Sequence, residues 1–227
     1  MKKMMFLLAA AGITTATCMA QDKSQGKIDY EVTLNLRASL KPDQQQFKDM
    51  VPEKSVNNEV LYFNGSKARL SRKDPDEMTT DEGAKVKIVT NDNQVALYTD
   101  GATGKSWSLI DEDGKKKLVS TEERAKEKMN EKAGKSDIKD GTRTKEILGF
   151  TCREKILKNK EMGETIIWVT DAVPFSGGPM GFSVGKGLIL GVESKQVNAI
   201  ATAINYSPVS VSEVSIPADV PVISAKK

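Results

Sequence analysis

No histidine occurs anywhere in the 227 residues. That absence removes the commonest general base, the commonest metal ligand and the usual partner of a nucleophilic serine or cysteine. Carboxylate or lysine chemistry stays open, but the composition favours a protein that is not an enzyme, with no metal site and no cofactor. Cysteine is nearly absent as well: Cys18 lies near the N-terminus and Cys152 in the body of the chain. A single thiol in the body excludes an internal disulfide, so the core must hold the fold unaided. An excess of one charge is also missing, with 34 Lys and Arg against 31 Asp and Glu. Without a strong field, a nucleic acid or other polyanion is not favoured as a partner. Beyond the first twenty residues no apolar run is long enough to span a membrane, which takes about 20 residues.

What is present begins with MKKMMFLLAAAGITTATCMA. Lys2 and Lys3 form a positive start, Met4 to Ile13 an apolar stretch, and Thr14 to Ala20 a small-residue cleavage region. Residues 1–20 therefore read as a secretory signal peptide and 21–227 as a single β-rich domain. Two processing routes fit. Cleavage after Ala20 leaves Gln21 first, whereas lipidation at Cys18 anchors the chain to a membrane, with Thr17 standing where Gly, Ala or Ser is expected. Either route implies export to the periplasm, outer membrane or cell surface.

Strand signals dominate the body. Ile28, Tyr30, Val32, Leu34 and Leu36 alternate with polar residues, the period of two that gives one dry and one wet face. Asn64-Gly65 between apolar runs predicts a hairpin, and Asp113-Gly114 turns the chain again. Further strands are expected at 86–89, 95–98, 107–110, 138–148, 150–157, 164–170, 187–193, 197–206 and 209–216, with 73–83 an exposed loop. Two short helices are expected, one over 40–51 covering an end of the sheet and one over 120–134. In the second, Ser120 and Glu123 fit a capping box and Gly134 a stop. Short strands at this spacing predict a mainly β fold: a strongly curved antiparallel sheet, half-barrel or barrel-like.

Two glycine-lysine stretches imitate phosphate loops. In GATGKSW the glycine required five residues before Gly104 is Thr99, and Trp107 to Ile110 reads as a strand where a helix is needed. In GGPMGFSVGKGLILGV the Ser or Thr required after Lys186 is Gly187, and Leu188 to Leu190 again reads as a strand. Both are turns by this reading. Ser183-Val184-Gly185-Lys186 has the letters of a serine–lysine motif, but Gly185 opposes the helix that motif needs. Cys152 fits a nucleophile beside Arg153 and Lys155 less well than a small buried strand residue in phase with Phe150 and Ile156.

An ordered series in the second half carries a family resemblance. Glu146-Ile147-Leu148-Gly149-Phe150-Thr151-Cys152 comes first, and Ile167-Trp168-Val169-Thr170 follows with Val173-Pro174. Gly178-Pro179-Met180-Gly181-Phe182 and Gly187-Leu188-Ile189-Leu190 complete it. This series resembles the GLPGLI family of Bacteroidetes secreted proteins, with Gly149, Cys152, Pro174, Gly178, Pro179, Gly187, Leu188 and Ile189 as motif residues. The chain departs at the naming motif, where Val184-Gly185-Lys186 replaces Gly-Leu-Pro. It is also similar to families of unknown function related to periplasmic lipoprotein carriers. The resemblance implies an exported β fold and no established activity. The functional expectation is a cell-envelope protein that binds a lipid or other apolar molecule inside its curved sheet. Trp168, Phe175, Phe182 and Trp107 are the candidate contacts, and the 171–187 loop closes the mouth. The alternative is an accessory protein that binds an envelope or outer-membrane protein.

Overall fold

The computed structural model describes residues 22–40, 42–73, 77–79, 85–87, 93–120, 137–159 and 163–223. Strands β1 (Gln25–Asn35), β2 (Lys54–Asn64) and β3 (Lys67–Lys73) come first. Two short strands, β4 (Glu77–Thr79) and β5 (Lys85–Lys87), pair only with each other. Next come β6 (Gln94–Asp100), β7 (Lys105–Glu112) and β8 (Lys115–Ser120). The second half supplies β9 (Asp137–Ile147), β10 (Phe150–Asn159), β11 (Gly163–Thr170), β12 (Leu188–Glu193) and β13 (Val197–Asn205). A two-residue β14 (Val222–Ile223) ends the series.

Twelve of these strands form one sheet in the order β14-β8-β7-β6-β3-β2-β1-β13-β12-β11-β10-β9. Its ladders are antiparallel except β14 on β8. The first strand sits at the centre and pairs with β13, so the two halves of the chain zip together along β1. Turn chemistry sets the hairpins. Leu148 and Gly149 both take positive φ, 52° and 78°, as do Asp113 and Gly114, which suits the right-handed twist of the flanking strands. Gly65 turns the β2–β3 hairpin with φ 59°.

The alternation in β1 places Ile28, Tyr30 and Val32 in the core at 0–2% exposure. Across the ladder Ile28 faces Leu61, and Leu61 faces Leu70, which faces Leu97. This row joins Phe63, Ile167, Val169, Leu188 and Ile189 in the main apolar cluster. The opposite face of β6–β8 carries a smaller cluster of Ala96, Tyr98, Leu109 and Leu118. The segment 206–221 crosses that face, tied down by Asn64 Nδ2 donating to Val209 O at 2.7 Å and by Arg69 pairing with Glu213 at 3.3 Å.

Four expectations are corrected. The sheet is not closed: β9 and β14 are its edges, and no ladder joins them among the described residues. The segment after β1 is 3-10 helix over Pro42–Met50, with Met50 80% exposed, so this residue does not cap the core. Within 73–83, β4 replaces part of the expected loop. Residues 209–216 form turns instead of a strand, because Pro208 and Pro217 interrupt the donors a ladder needs. The helix expected over 120–134 falls outside the described residues except for Ser120, which ends β8. So do residues 1–20, expected to be a signal peptide, with Cys18 among them.

Candidate functional site

Between β11 and β12 the chain leaves the ladder at Asp171 and returns at Leu188. It folds back on the sheet because its ends are pinned. The Ile189 amide donates to Gly177 O at 2.8 Å, and the Gly187 amide donates to Ser176 Oγ at 3.1 Å. Two glycines allow the close approach. A Cβ on Gly178 would lie 2.6 Å from Ile189 Cβ, and one on Gly187, at φ 99°, would lie 2.5 Å from Val169 Cγ1. The loop buries its own Val173, Phe175 and Pro179. Phe175 stacks on Phe63 with centroids 5.0 Å apart at 29°, a contact of about 0.5–1.5 kcal/mol beyond area burial.

A buried carboxylate holds the loop's far turn. Glu59 on β2 is 3% exposed, and its Oε2 accepts from the Met180 amide at 2.7 Å. Met180 takes a left-handed conformation, φ 56° and ψ 15°, which a non-glycine residue adopts only when its surroundings hold it there. Arg72 Nε lies 3.7 Å from Glu59 Oε1. Burial raises the Glu59 carboxyl above its ordinary value, and the Met180 amide and Arg72 only partly offset it. Tyr30 faces Glu59 across the β1–β2 ladder and donates its hydroxyl to Ile189 O at 2.8 Å. Burial and the nearby Glu59 push that hydroxyl's pKa up.

Beside this latch the loop and the sheet border an open cleft of about 640 Å³, within the ordinary range for small-molecule sites of about 300–1,000 Å³. Leu61, Leu70, Leu97, Phe175 and Phe182 give it an apolar floor. Its rim comes from the β2–β3 turn at Gly65-Ser66, the β6–β7 turn through Gly101 and Gly104 to Ser106, and the loop's Ser176, Ser183 and Gly185. Both stretches that imitate phosphate loops thus meet here. Neither precedes a helix: β7 begins at Lys105 and β12 at Leu188.

The candidate contacts separate accordingly. Phe175, Phe182, Pro174 and Gly178 line the cleft, while Trp168 and Trp107 do not. Trp107 pairs with Tyr98, one residue along from the floor residue Leu97, so it points to the other face. There it packs on the smaller cluster. Trp168 is buried on β11, and its Nε1 donates to Glu193 Oε1 at 2.9 Å. Arg143 and Lys145 each lie 5.6 Å from its ring centre. Lys145 also pairs with Glu193 at 2.7 Å, and Arg143 pairs with Glu154. The Arg143 hydrogen bond holds the Glu154 carboxyl below its ordinary value. Among the motif residues Gly149 makes a hairpin turn, and Gly187, Leu188 and Ile189 pin the loop. Cys152 is fully buried on β10, where burial pushes its thiol up to about 11.

Glu59 is the residue that sequence reasoning missed. Its signal was phase: it is in step with Leu61 and Phe63 on β2 and therefore belongs to the dry face. Among the described residues no group of three His, Cys, Asp or Glu side chains is placed to hold a metal ion, and no helix is long and apolar enough to cross a membrane.

No protein-family model matches the chain, and no curated protein does. Among solved structures it is similar to PNGF-II in two crystal forms, with a TM-score of 0.56 in each and 12% and 13% identity. Those alignments cover 88% and 89% of this chain but 31% and 32% of PNGF-II. The chain thus spans about a third of that protein, and at this identity the likeness is one of fold alone. An uncharacterized conserved protein from Thermus thermophilus aligns at a TM-score of 0.44 and 7% identity, over 89% of this chain and 93% of that one.

Proposed function

We propose that the protein is a non-catalytic, exported cell-envelope protein that holds a lipid or other apolar molecule between its sheet and the 171–187 loop. The observation that carries this reading is the cleft of about 640 Å³ with its floor of Leu61, Leu70, Leu97, Phe175 and Phe182. An apolar floor rewards burial at about 25 cal/mol per Å², and the lack of histidine leaves few groups suited to acid–base work beside it. The signal-like N-terminus and the resemblance to GLPGLI secreted proteins support the compartment. A strong bend of the sheet around the loop belongs to the same reading. Native purification from the cell envelope, organic extraction and mass spectrometry test it. A stoichiometric lipid or other apolar compound supports the proposal. A clean extract, together with no binding of added amphiphiles, defeats it.

A further inference from the structure

The cleft is polar at one end and apolar at the other. Gly65 and Ser66 mark the turn end, and the lining residue Leu61 lies four residues along β2, roughly 13 Å away at about 3.3 Å per residue. The ionisable groups on the lining are Asp100 and Lys105, one of each sign and opposite each other on the β6–β7 ladder. The rim's hydroxyls are oriented by the backbone. Ser176 Oγ accepts from the Gly187 amide at 3.1 Å and Ser183 Oγ from the Gly185 amide at 3.4 Å. Each hydroxyl therefore keeps its proton to donate. Asp100 spends Oδ1 on its own turn, accepting from the Ala102 amide at 3.0 Å and from Ser66 Oγ at 3.4 Å. Its Oδ2 takes no part in that turn.

We infer that the cleft takes a single-chain amphiphile whose head is uncharged and bears hydroxyl groups, seated between Asp100 and the Ser176 and Ser183 hydroxyls with its chain on the Leu61–Leu70–Leu97 row. The inference rests on the proposed function and narrows it. A head with both donors and acceptors, and no net charge, satisfies a rim that offers a carboxylate, the opposite charge of Lys105 and two hydroxyl donors. A phosphate head would face the Asp100 carboxylate with only Lys105 to offset it, a like-charge contact that opposes binding.

Calorimetric titration of the full chain with monoacylglycerols of increasing chain length, and with the matching monoacylglycerol phosphates, tests this. Affinity for the glycerol head should rise about fourfold per methylene until the floor is filled. It should exceed the matched phosphate by about tenfold or more. Asp100→Asn keeps an acceptor for the turn and removes the charge, so it should shrink that preference severalfold. Equal or tighter binding of the phosphate, or a preference unchanged in Asp100→Asn, overturns the inference and leaves the apolar cleft standing. No binding of either series at any chain length overturns both.

Discussion

The Met180 amide donates to Glu59 Oε2 at 2.7 Å, a contact between residues 121 apart in sequence that ties the cleft's loop to β2. Its carboxylate is largely desolvated and its partner is strained, so charge and loop position are linked. The folded-state pKa of Glu59 lies above its ordinary value. The stability it contributes is therefore complete below the unfolded-state carboxyl pKa and is lost as pH rises through the folded-state value. Glu59→Gln keeps an acceptor for Met180 and abolishes the ionisation. Relative to the variant, the wild-type chain should lose denaturant stability as pH climbs from about 4.3. Glu59→Ala leaves the amide orphaned and should cost about 1–3 kcal/mol. Parallel pH curves for wild type and Glu59→Gln would exclude the linkage.

A second expectation separates backbone strain from crowding within one loop. Gly187 and Gly185 both take positive φ, 99° and 87°, but only Gly187 has atoms within 4 Å of a would-be Cβ. Gly185→Ala should cost about 1 kcal/mol, the conformational part alone. Gly187→Ala must also displace Val169 and should cost upwards of about 2 kcal/mol. Urea melts of the two variants give the comparison, and equal costs would show that the loop adjusts freely at Gly187.

The uneven legibility of this fold has physical causes. The alternation of Ile28 to Leu36 reports burial on one face, and β1 lies at the centre of the sheet where that signal is strongest. Hairpin turns were legible because Asn64-Gly65 and Asp113-Gly114 carry their own conformational preference. Closure was not, since nothing local in β9 or in Val222–Ile223 states whether the two edges meet. Residues 209–216 alternate like a strand, yet Pro208 and Pro217 on either side and the face they cross decide otherwise. At the cleft, the loop expected over 171–187 places Phe175 and Phe182 on the lining. Trp107 lies on the opposite face, since residues one apart on a strand face opposite ways. Glu59 shows the reverse error: its phase was readable, but a carboxylate was not expected among apolar neighbours.

Cys152 should behave as packing, not as a reactive group. It has no exposure, and burial holds the thiol at about 11, so the thiolate fraction at neutral pH is very small. A thiol reagent should label Cys152 negligibly when the chain is folded and to completion in denaturant. Rapid labelling of the folded chain near neutral pH would reopen the nucleophilic reading.

The two aromatic candidates on opposite sides of the cleft boundary should part company when each is changed. Phe182 lines the cleft and is half-buried, so Phe182→Ala removes floor area that a ligand chain would cover. Its loss should weaken binding of a monoacylglycerol about fivefold or more while costing less stability than a full core truncation of about 3–5 kcal/mol. Trp168 is buried at 4% exposure and spends its indole donor on Glu193, which Lys145 also holds. Trp168→Phe keeps one aromatic ring, gives up that hydrogen bond and part of the buried volume, and should cost about 1–3 kcal/mol. Because Trp168 does not line the cleft, affinity should stay within about twofold, well inside the factor of ten that 1.4 kcal/mol represents. Titration of both variants beside the wild type decides the matter: a large loss at Trp168 with none at Phe182 would move the binding site from the loop to the β9–β11 face.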